Sequence, residues 1–531
     1  MALRERDGVV SGRRPAFADR SKASYLRQLG RRATATWPRT VVSGFVATRL
    51  VYFALGVRFD VTPVRLSVMQ LLDPELLRHD LLGSVWYLHS QPPLYNLVVG
   101  AYLHLPTALA RVVGPVVAAG LGLALVYSIF RLLAELGISE RGAAIAALAF
   151  AATPASILWE NLFFYTYFVA AALVASAALL LHHQRTGRAG ALFGFFALLG
   201  AVALTRASYH LVWLVAVAAF VFVISPGGRR RVLIAAVLPV LLVAGWYVKN
   251  AVVFGNFSSS SWLGLNMAHA TFSWMNTYEL RELVDRGVTS DLVLVQPFSP
   301  KSAYVPRFTT VDHWGVKAVD QRYKSTRTWG LWAGNFNNIV YLRIEPQYRD
   351  DVWRFIRAEP GKYAHLVTAA GRFAFLPADH AIVLEANARH IRPLVWSFDR
   401  LVNGSPTKYR FGIPSARPRH AVDGRYPRPS DVGWFLLGGY VMVLVGGPVL
   451  SRRRRRAGDP AGARTIAYLW AMTAYIVVVG IILETGENNR LRFEADPMAF
   501  VLGVVMVAEL VRWRASRAAG DPVPVDAPPE P

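Results

Sequence analysis

The sequence has 531 residues, of which 54% are hydrophobic, and its formal net charge is +24. A mean hydropathy of +0.32 and repeated apolar runs, close to the ~20 residues needed to cross a bilayer, predict a polytopic membrane protein. The positive-inside rule accounts for the basic residues at the edges of these runs, which argues against a nucleic-acid partner, and the absence of cysteine excludes disulfides and thiolate metal sites.

Apolar segments rich in Leu, Val and Ala, bounded by Arg, Gly or Pro, are predicted to be membrane helices. They are 41–57, 92–106, 112–134, 142–158, 161–181, 189–205, 208–224, 232–249, 432–450, 465–483 and 498–513. The segment 92–106 differs because it is short and opens with Pro92-Pro93. Two cytoplasmic termini require an even number of crossings, so either this segment does not cross or another is miscounted. The first segment is expected to be retained, because no small-residue cleavage site follows it.

Runs of arginine predict the orientation. Residues 229–231 and 452–456 adjoin apolar segments and are predicted to lie in the cytoplasm, as are Arg512 and Arg514. Counting helices outward from these runs places a set of polar residues at the opposite membrane face: Asp60, Glu160, Arg206, Lys249 and the stretch 484–496. Charges at membrane depth are costly and usually functional. The pattern predicts a catalytic site in the cell membrane that faces away from the cytoplasm.

The chain divides into five predicted regions. They are a cytoplasmic basic N-terminus (1–40), a transmembrane catalytic module (41–250) with an outer loop (58–91), an extracytoplasmic α-rich domain (251–430), C-terminal transmembrane helices (431–513) and a disordered cytoplasmic tail (514–531). In the outer loop, 63–72 is helix-like, and Asp73 heads an Asp-Pro-Glu phrase typical of a helix start. In the outer domain, apolar residues within 363–374 keep helical spacing, whereas 403–429 is predicted to be an irregular linker.

Three carboxylates are candidate catalytic residues. Asp60 lies just beyond the outer end of the first helix, where a carboxylate can act as general base at the mouth of a membrane cavity. Asp73 is the alternative base, although its position also fits a helix N-cap. Glu160 precedes the aromatic run 163–168. We interpret it either as an interfacial carboxylate or as a second acid that binds the acceptor or sugar hydroxyls.

Cationic residues are the candidate phosphate ligands. Arg206 lies between two apolar runs, where it either marks the turn between two helices or binds a ligand; its place on the outer side, against the positive-inside preference, calls for a partner. A lipid phosphate fits, because guanidinium binds phosphate through two hydrogen bonds. The stretch 484–496 alternates acids and bases. A solvated polar loop explains this in part, and the pattern also suits a phosphate clamp that includes Glu487, Arg490 and Arg492. The remaining candidate substrate contacts are His89, Gln91, Tyr95, Lys249 and Asn250.

Three phrases of the sequence are similar to the GT-C superfamily of polyprenyl-phosphate-sugar glycosyltransferases. The group most similar contains protein O-mannosyltransferases (family 39) and the lipid A aminoarabinose transferase. The phrases are a helix followed by Asp60 and then Gln91-Pro92-Pro93-Leu94-Tyr95; the run Gly245-Trp246-Tyr247-Val248-Lys249-Asn250 with Phe254-Gly255, similar to W-x-x-[RK]-N-x-x-x-F-G; and Glu487 to Arg492, similar to E-x-x-R-x-R.

The resemblance implies an all-α polytopic protein with a GT-C-like transmembrane bundle and an extracytoplasmic α-rich domain. It implies Asp60 as the catalytic base and Glu160 as the second acid. The family shows Asp-Glu or Asp-x-Asp at the first position, whereas this chain has Asp60-Val61, which leaves Asp73 as an alternative and argues against a divalent metal. The family lysine before Pro-Pro is Gln91 here, so phosphate binding falls to another set: Arg206, Arg490, Arg492 or His89.

The predicted function is sugar transfer from a polyprenyl-phosphate donor to an extracytoplasmic acceptor hydroxyl, with inversion at the anomeric carbon. No cofactor is predicted besides the lipid-linked donor, and the expected partners are membrane lipids and a glycan, lipid or protein acceptor. A lipid or glycolipid transporter is one alternative, but its charges are expected in mid-helix within inverted repeats. A non-catalytic cell-envelope assembly protein is another, and it would tolerate Asp60→Asn and Glu160→Gln.

Overall fold

The structure is a computed structural model that describes residues 36–225, 228–328, 331–405 and 431–518. Helices dominate it. The helices before residue 255 are α1 (Thr36–Ala54), α2 (Thr62–Arg65), α3 (Pro74–His79), α4 (Leu81–Trp86), α5 (Leu94–Leu103), α6 (Thr107–Glu135), α7 (Glu140–Ala151), α8 (Pro154–Glu160), α9 (Tyr165–Thr186), α10 (Ala189–Thr205), α11 (Leu211–Ile224) and α12 (Arg229–Phe254).

The outer domain adds shorter helices and one hairpin. Its elements are α13 (Leu263–Phe272), α14 (Thr277–Asp285), 3-10 turns at Asp291–Leu294 and Lys301–Ala303, α15 (Lys317–Asp320), β1 (Tyr323–Thr328), β2 (Leu331–Gly334), α16 (Val340–Ala358), α17 (Pro360–Ala374), 3-10 turns at Ile382–Leu384 and Arg389–Ile391, α18 (Glu385–Ala388), α19 (Arg392–Phe398) and a π-helical turn at Asp399–Asn403. The C-terminal helices are α20 (Trp434–Arg456), α21 (Pro460–Leu483), α22 (Asn488–Phe493) and α23 (Asp496–Ala518).

Among the described residues, five helices are long and apolar enough to cross a membrane, namely α6, α9, α12, α20 and α21. The pair α7 and α8, bent by 64°, forms either a sixth, broken span or a re-entrant loop. The prediction of a predominantly helical, multi-pass membrane protein is therefore confirmed. The other predicted segments differ: α5, α10 and α11 are apolar but shorter, and α1 and α23, with 19 and 23 residues, are long enough but are not among the candidate spans. Helix α1 nevertheless exposes an apolar stripe suited to lipid contact, formed by Val42, Val46, Leu50 and Phe53.

The prediction of one straight helix over 142–158 is wrong. The first helix ends at Ala151, and a second helix begins at Pro154, which has no N–H to continue the first. Thr153 caps the new helix α8, because its side chain accepts a hydrogen bond from the Ser156 N–H. The resulting bend turns the end of α8, with Glu160, into the protein, where the carboxylate is buried.

Helix α9 lies at the centre of the bundle and is the most buried of the five candidate spans. It packs against α6, α10 and α21, and its many small residues allow these close approaches. The segment predicted as a helix over 161–181 becomes helical only at Tyr165. The preceding residues run extended, because Leu162 forms a parallel β-bridge with Asp60. The turn 160–165 therefore leads directly into the central helix.

The outer domain has its own apolar core between α13 and α16, and a hairpin is the part that the sequence did not predict. Its strands β1 and β2 pair antiparallel, and the remaining regular structure is helical, which agrees with the prediction of an α-rich domain. Helix α17 confirms the spacing noted in 363–374, and α3 begins after Asp73 as predicted. Helix within 63–72 is confined to Thr62–Arg65. Most of the predicted linker 403–429 and the tail after 518 lie outside the described residues.

Candidate active site

Asp60 is held by backbone hydrogen bonds beside the turn 160–165. Its N–H donates to the Asn161 carbonyl at 2.7 Å, and the Phe163 N–H donates to the Asp60 carbonyl at 2.8 Å. One carboxylate oxygen, Oδ1, accepts from the Thr62 N–H at 2.8 Å. The other oxygen, Oδ2, is buried and accepts no hydrogen bond from any described residue. A fixed carboxylate with one free acceptor is able to take a proton from a ligand.

Glu160 is paired with Arg49, a residue that the sequence analysis missed. The Arg49 Nε donates to Oε1 at 2.9 Å, Nη2 contacts Oε2, and the Tyr167 hydroxyl donates to Oε2 at 3.2 Å. Gly122 on α6 makes room for this carboxylate, because a Cβ at that position would collide with it. The signal for Arg49 was present, since it is the one charged residue in the apolar run 41–57.

An apolar cavity of about 470 Å³ opens beside these carboxylates. Aromatic rings form much of its wall, and Glu160 is its acidic lining residue. The bridge partner of Asp60, Leu162, also lines it. Tyr95 fixes one side, because its hydroxyl donates to the Phe163 carbonyl at 3.2 Å. The aromatic lining residues are Phe59, Tyr95, Tyr102, Phe163, Phe164, Tyr165, Tyr167 and Phe168.

Two arginines lie behind the cavity wall at Tyr165. The guanidinium carbons of Arg206 and Arg490 are 5.6 and 5.9 Å from the centroid of the Tyr165 ring. Arg490 donates to the Tyr165 hydroxyl at 3.3 Å and pairs with Glu487 at 2.6 Å. Its Nε is buried and donates to no described residue. Arg206 pairs with Glu494, whose second oxygen accepts from Tyr209.

Glu484 completes this charged group from the end of α21. Burial, and next the neighbouring Glu487, raise its pKa to about 7, and the nearby Arg490 and Arg206 oppose this rise. The group thus contains two guanidinium groups and three carboxyl groups, Glu484, Glu487 and Glu494. A carboxyl group that gains a proton near neutral pH leaves the two arginines with more positive charge for an incoming anion.

The hydrogen bonds that Asp73 accepts give it a structural role. It caps α3, accepting from the Glu75 N–H at 3.1 Å. The same carboxylate accepts from Gln321 Nε2 at 3.0 Å, from the Ser325 N–H at 2.8 Å and from the Ser325 hydroxyl. Its oxygens therefore already receive four hydrogen bonds, and they hold the hairpin to the outer loop. Asp60, with its free oxygen, is the better candidate base.

His89, Lys249 and Asn250 also join segments of the protein to one another. The ring nitrogens of His89 contact the Ser261 hydroxyl at 2.7 Å and the Asn337 carbonyl at 2.9 Å, and burial lowers its pKa to about 3. Lys249 donates to the Leu88 carbonyl at 2.6 Å and lies 3.6 Å from the Trp246 ring centroid. The amide nitrogen of Asn250 donates to the Ser258 carbonyl at 2.7 Å, and its oxygen has no partner among the described residues. These contacts fit docking of the outer domain better than substrate binding.

The two remaining candidates, Arg492 and Gln91, differ in how many hydrogen bonds their side chains make. Arg492 is 2% exposed and donates to the carbonyls of Ala374 at 2.6 Å and Leu376 at 3.2 Å, and to Asp496 at 2.6 Å. The predicted phosphate role does not fit this guanidinium, which has all three nitrogens engaged. Gln91 is half-buried, and its amide makes no hydrogen bond within the described ranges. It stays a candidate substrate contact.

A group with metal-ligand geometry exists elsewhere in the described residues, formed by Asp379, His380 and Asp399. It shares no residue with the predicted site, and the sequence analysis did not identify it. In the sequence, the run 378–381 (Ala-Asp-His-Ala), which places an acid next to a histidine, is the feature that could have indicated this group.

No protein-family model and no curated protein matches the chain. Comparison with solved structures finds the oligosaccharyltransferase of Archaeoglobus fulgidus, in the apo form with 14% identity and a TM-score of 0.39. The same protein, tethered with an acceptor peptide, matches with 13% identity and a TM-score of 0.38. A third match, AglB with an inhibitory peptide and a dolichol-phosphate, has the same values. The alignments cover 91% to 92% of this chain and 52% of the archaeal chains, so the chain spans about half their length.

TM-scores below 0.5 assign neither residues nor an activity to this chain.

Proposed function

We propose that this protein is an inverting membrane glycosyltransferase of the GT-C type that transfers a hexose or pentose from a polyprenyl-phosphate donor to an acceptor hydroxyl. One observation carries the proposal: three kinds of group meet around the turn 160–165. They are the free oxygen of Asp60, an aromatic cavity of about 470 Å³, and a pair of buried arginines. These are a base, a place for an apolar chain, and a counter-charge for phosphate.

The apolar cavity suits the prenyl part of the donor. Its volume lies within the ~300–1,000 Å³ that small-ligand sites typically have. Aromatic and aliphatic side chains form nearly all of its wall, so burial of prenyl units removes apolar surface from water at about 25 cal/mol for each Å². In this proposal the phosphate end of the lipid lies near Tyr165, close to the two arginines.

The proposed reaction is a single in-line displacement. Asp60 Oδ2 takes the proton of the acceptor hydroxyl, and the acceptor oxygen forms its bond to the anomeric carbon from the face opposite the phosphate. The bond between that carbon and the phosphate oxygen breaks, and both of its electrons leave with the polyprenyl phosphate. Arg490 and Arg206 stabilise the charge that develops on this phosphate, as fixed cations do in a site that excludes water.

Glu160 is assigned a positioning role. Its oxygens receive hydrogen bonds from Arg49 and Tyr167, so it is less available as a proton acceptor than Asp60. The carboxylate still lines the cavity and is able to accept a further hydrogen bond from an acceptor or sugar hydroxyl. Arg49 fixes the orientation of this carboxylate through hydrogen bonds to both of its oxygens.

The site is proposed to face outward, away from the cytoplasm. The arginine-rich ends of α12 and α20 are the ends remote from it: α12 begins at Arg229, and α20 ends at residues 453–456. The next helix, α21, returns from that side and ends at Leu483, beside Glu484. The positive-inside preference then assigns the arginine side to the cytoplasm.

The test is release of labelled sugar from a panel of polyprenyl-phosphate sugars by the protein in nanodiscs, with a cell-envelope extract as acceptor source. We expect turnover with one donor class and a loss of about 10²–10⁴-fold in Asp60→Asn, the range that general bases contribute. Donor binding by Asp60→Asn should remain. The matched control is Glu75→Gln, an exposed acid of the same outer loop that pairs only with surface groups.

Two results would count against the proposal. Unchanged turnover in Asp60→Asn would exclude it as the base. Movement of intact donor across a liposome membrane, without sugar release from any donor, would favour a lipid transporter.

A further inference from the structure

Asp379 and His380, which follow α17, converge with Asp399 of the π-helical turn. One potential ligand atom from each lies within 4.8 Å of the others. His380 Nε2 is 2.7 Å from Asp399 Oδ2 and 4.0 Å from Asp379 Oδ1. Ligands of one metal ion, each about 2.1 Å from it, lie at most about 4.2 Å apart, so both distances are compatible with a shared ion.

Asp379 is the observation that points to a ligand. Its side chain is 1% exposed, and neither of its oxygens accepts a hydrogen bond from the residues that the structure describes. Buried carboxylates are normally paired or bound to metal, because an unpaired charge in the interior is strongly unfavourable. Asp399, a second buried carboxylate, lies in the same group and adds to this cost.

The electrostatics of the group agree with this geometry. Burial, and next the neighbouring Asp399, raise the pKa of Asp379 to about 7. Burial alone would lower the pKa of His380, but its hydrogen bond to Asp399 and the charge of Asp379 raise it. Both shifts follow from two carboxyl groups and one imidazole that lie close together in a buried pocket.

The loop that carries the ligands is held from several sides. Trp159 donates to the Ala378 carbonyl at 2.9 Å, and Asn489 donates to the Pro377 carbonyl at 2.9 Å. The second oxygen of Asp399 accepts from Asn403 at 2.9 Å. Such outer contacts orient metal ligands and are typical of metal sites. The ligand positions are therefore largely set before an ion arrives.

We infer that Asp379, His380 and Asp399 bind one divalent transition-metal ion, with Zn²⁺ and Mn²⁺ as the best fits to two carboxylates and one imidazole. Imidazole suits zinc and carboxylate suits manganese, while the lack of cysteine in the chain excludes thiolate ligands. The ion would take the place of the proton shared by His380 and Asp399, and that proton would be released to solvent.

The position of the group indicates a structural role next to the active site. Trp159, which is bonded to this loop, precedes Glu160 directly. Asn387, shortly after the ligands, exchanges two hydrogen bonds with the backbone of Arg58, at 2.9 and 2.7 Å. An ion bound here would hold the segment 379–399 in place, and that segment contacts Trp159, next to Glu160, and Arg58, near Asp60. The inference does not depend on the proposed transferase activity.

The experiment uses the full chain, without a histidine tag, in nanodiscs. After dialysis against EDTA, the protein is equilibrated with buffered Zn²⁺ or Mn²⁺, and bound metal is measured by mass spectrometry and, for Mn²⁺, by electron paramagnetic resonance. We expect about one ion per chain and a higher unfolding temperature with metal than without. Asp379→Asn and His380→Gln should weaken binding by more than the ~10–100-fold that changes outside the ligand set cause.

The matched control is Asp350→Asn, an exposed acid on α16, which should bind metal as the wild type does. Equal metal binding by the wild type and both ligand variants would overturn the inference. So would a wild type that binds no ion while Asp379→Asn unfolds at a higher temperature, because Asp379 would then be a buried acid that needs no cation. If Asp379→Asn fails to fold, His380→Gln and the wild type with and without metal still decide the question.

Discussion

Arg490 and Arg492 lie two residues apart on α22, and their guanidinium groups make contacts on opposite sides of this helix. Arg490 donates to the Tyr165 hydroxyl beside the apolar cavity, whereas Arg492 donates to carbonyls at the end of α17 and just after it. Side chains at i and i+2 of a helix point in nearly opposite directions, which explains the division. One arginine is therefore available to a ligand, and the other holds the outer domain to the bundle.

This division gives a paired prediction. Arg490→Lys should weaken binding of the polyprenyl-phosphate donor by about 10–100-fold, because a hydrogen bond between charged groups contributes about 1.5–3 kcal/mol. Its folding should be nearly unchanged. Arg492→Lys should instead lower the unfolding temperature and leave donor affinity intact, since one ammonium group cannot reach the acceptors that the guanidinium now reaches. Donor titration and thermal unfolding of both variants provide the check, and identical behaviour of the two would contradict the division.

The sequence predicted local features well and distant pairings poorly. Asp73 was identifiable as a helix cap because the signal lies in three consecutive residues. The convergence of Asp60, Glu160 and Arg206 followed from counting helices. The pair of Arg49 with Glu160 could not be predicted from spacing, because 111 residues separate them and the bend after Ala151 decides where the carboxylate points.

The hairpin and the different roles of Arg490 and Arg492 were also not predictable from the sequence, because tertiary contacts determine them. The stretch 484–496 was interpreted as a charged loop, so the short helix α22 that separates Arg490 from Arg492 was not foreseen. Both strands are short and β1 is polar, and tertiary contacts stabilise β1: its Lys324 donates to the carbonyls of Ser67, Val68 and Leu71. Such contacts override weak local preferences.

The Arg49–Glu160 pair should be strongly coupled. Arg49→Met leaves a buried carboxylate without its cation and should destabilise the protein by about 3–5 kcal/mol. The double variant Arg49→Met/Glu160→Gln removes both charges and should regain much of that loss. Thermal and denaturant unfolding of wild type, both single variants and the double variant form the cycle. A double variant with the sum of the two single losses would show that the pair is not coupled.

Asp73→Asn should loosen the hairpin and leave the chemistry unchanged. The amide replaces an oxygen that accepts from Gln321 and Ser325, so we expect a loss of about 1–3 kcal/mol and faster hydrogen exchange over 321–328. Below the unfolding temperature, turnover should equal that of the wild type. Asp80→Asn is the control, because Asp80 also caps a helix of the same loop but is exposed and accepts only from the Gly83 N–H. Loss of turnover in a folded Asp73→Asn would restore Asp73 as the candidate base.

His89 should make the protein sensitive to acid. Burial lowers its pKa from the ordinary 6.5 to about 3, so between these values the unfolded chain binds a proton that the folded protein does not. Stability from this residue is therefore complete above pH 6.5 and falls as the pH decreases toward 3, with about 2 kcal/mol lost at pH 5. His89→Gln removes this titration and should reduce the slope of unfolding free energy against pH in that window. Unfolding of both proteins from pH 7.5 to 4.5 measures the difference, and His365→Gln, at an exposed position on α17, should retain the wild-type slope. If His89→Gln has that slope as well, the buried imidazole does not control the acid sensitivity.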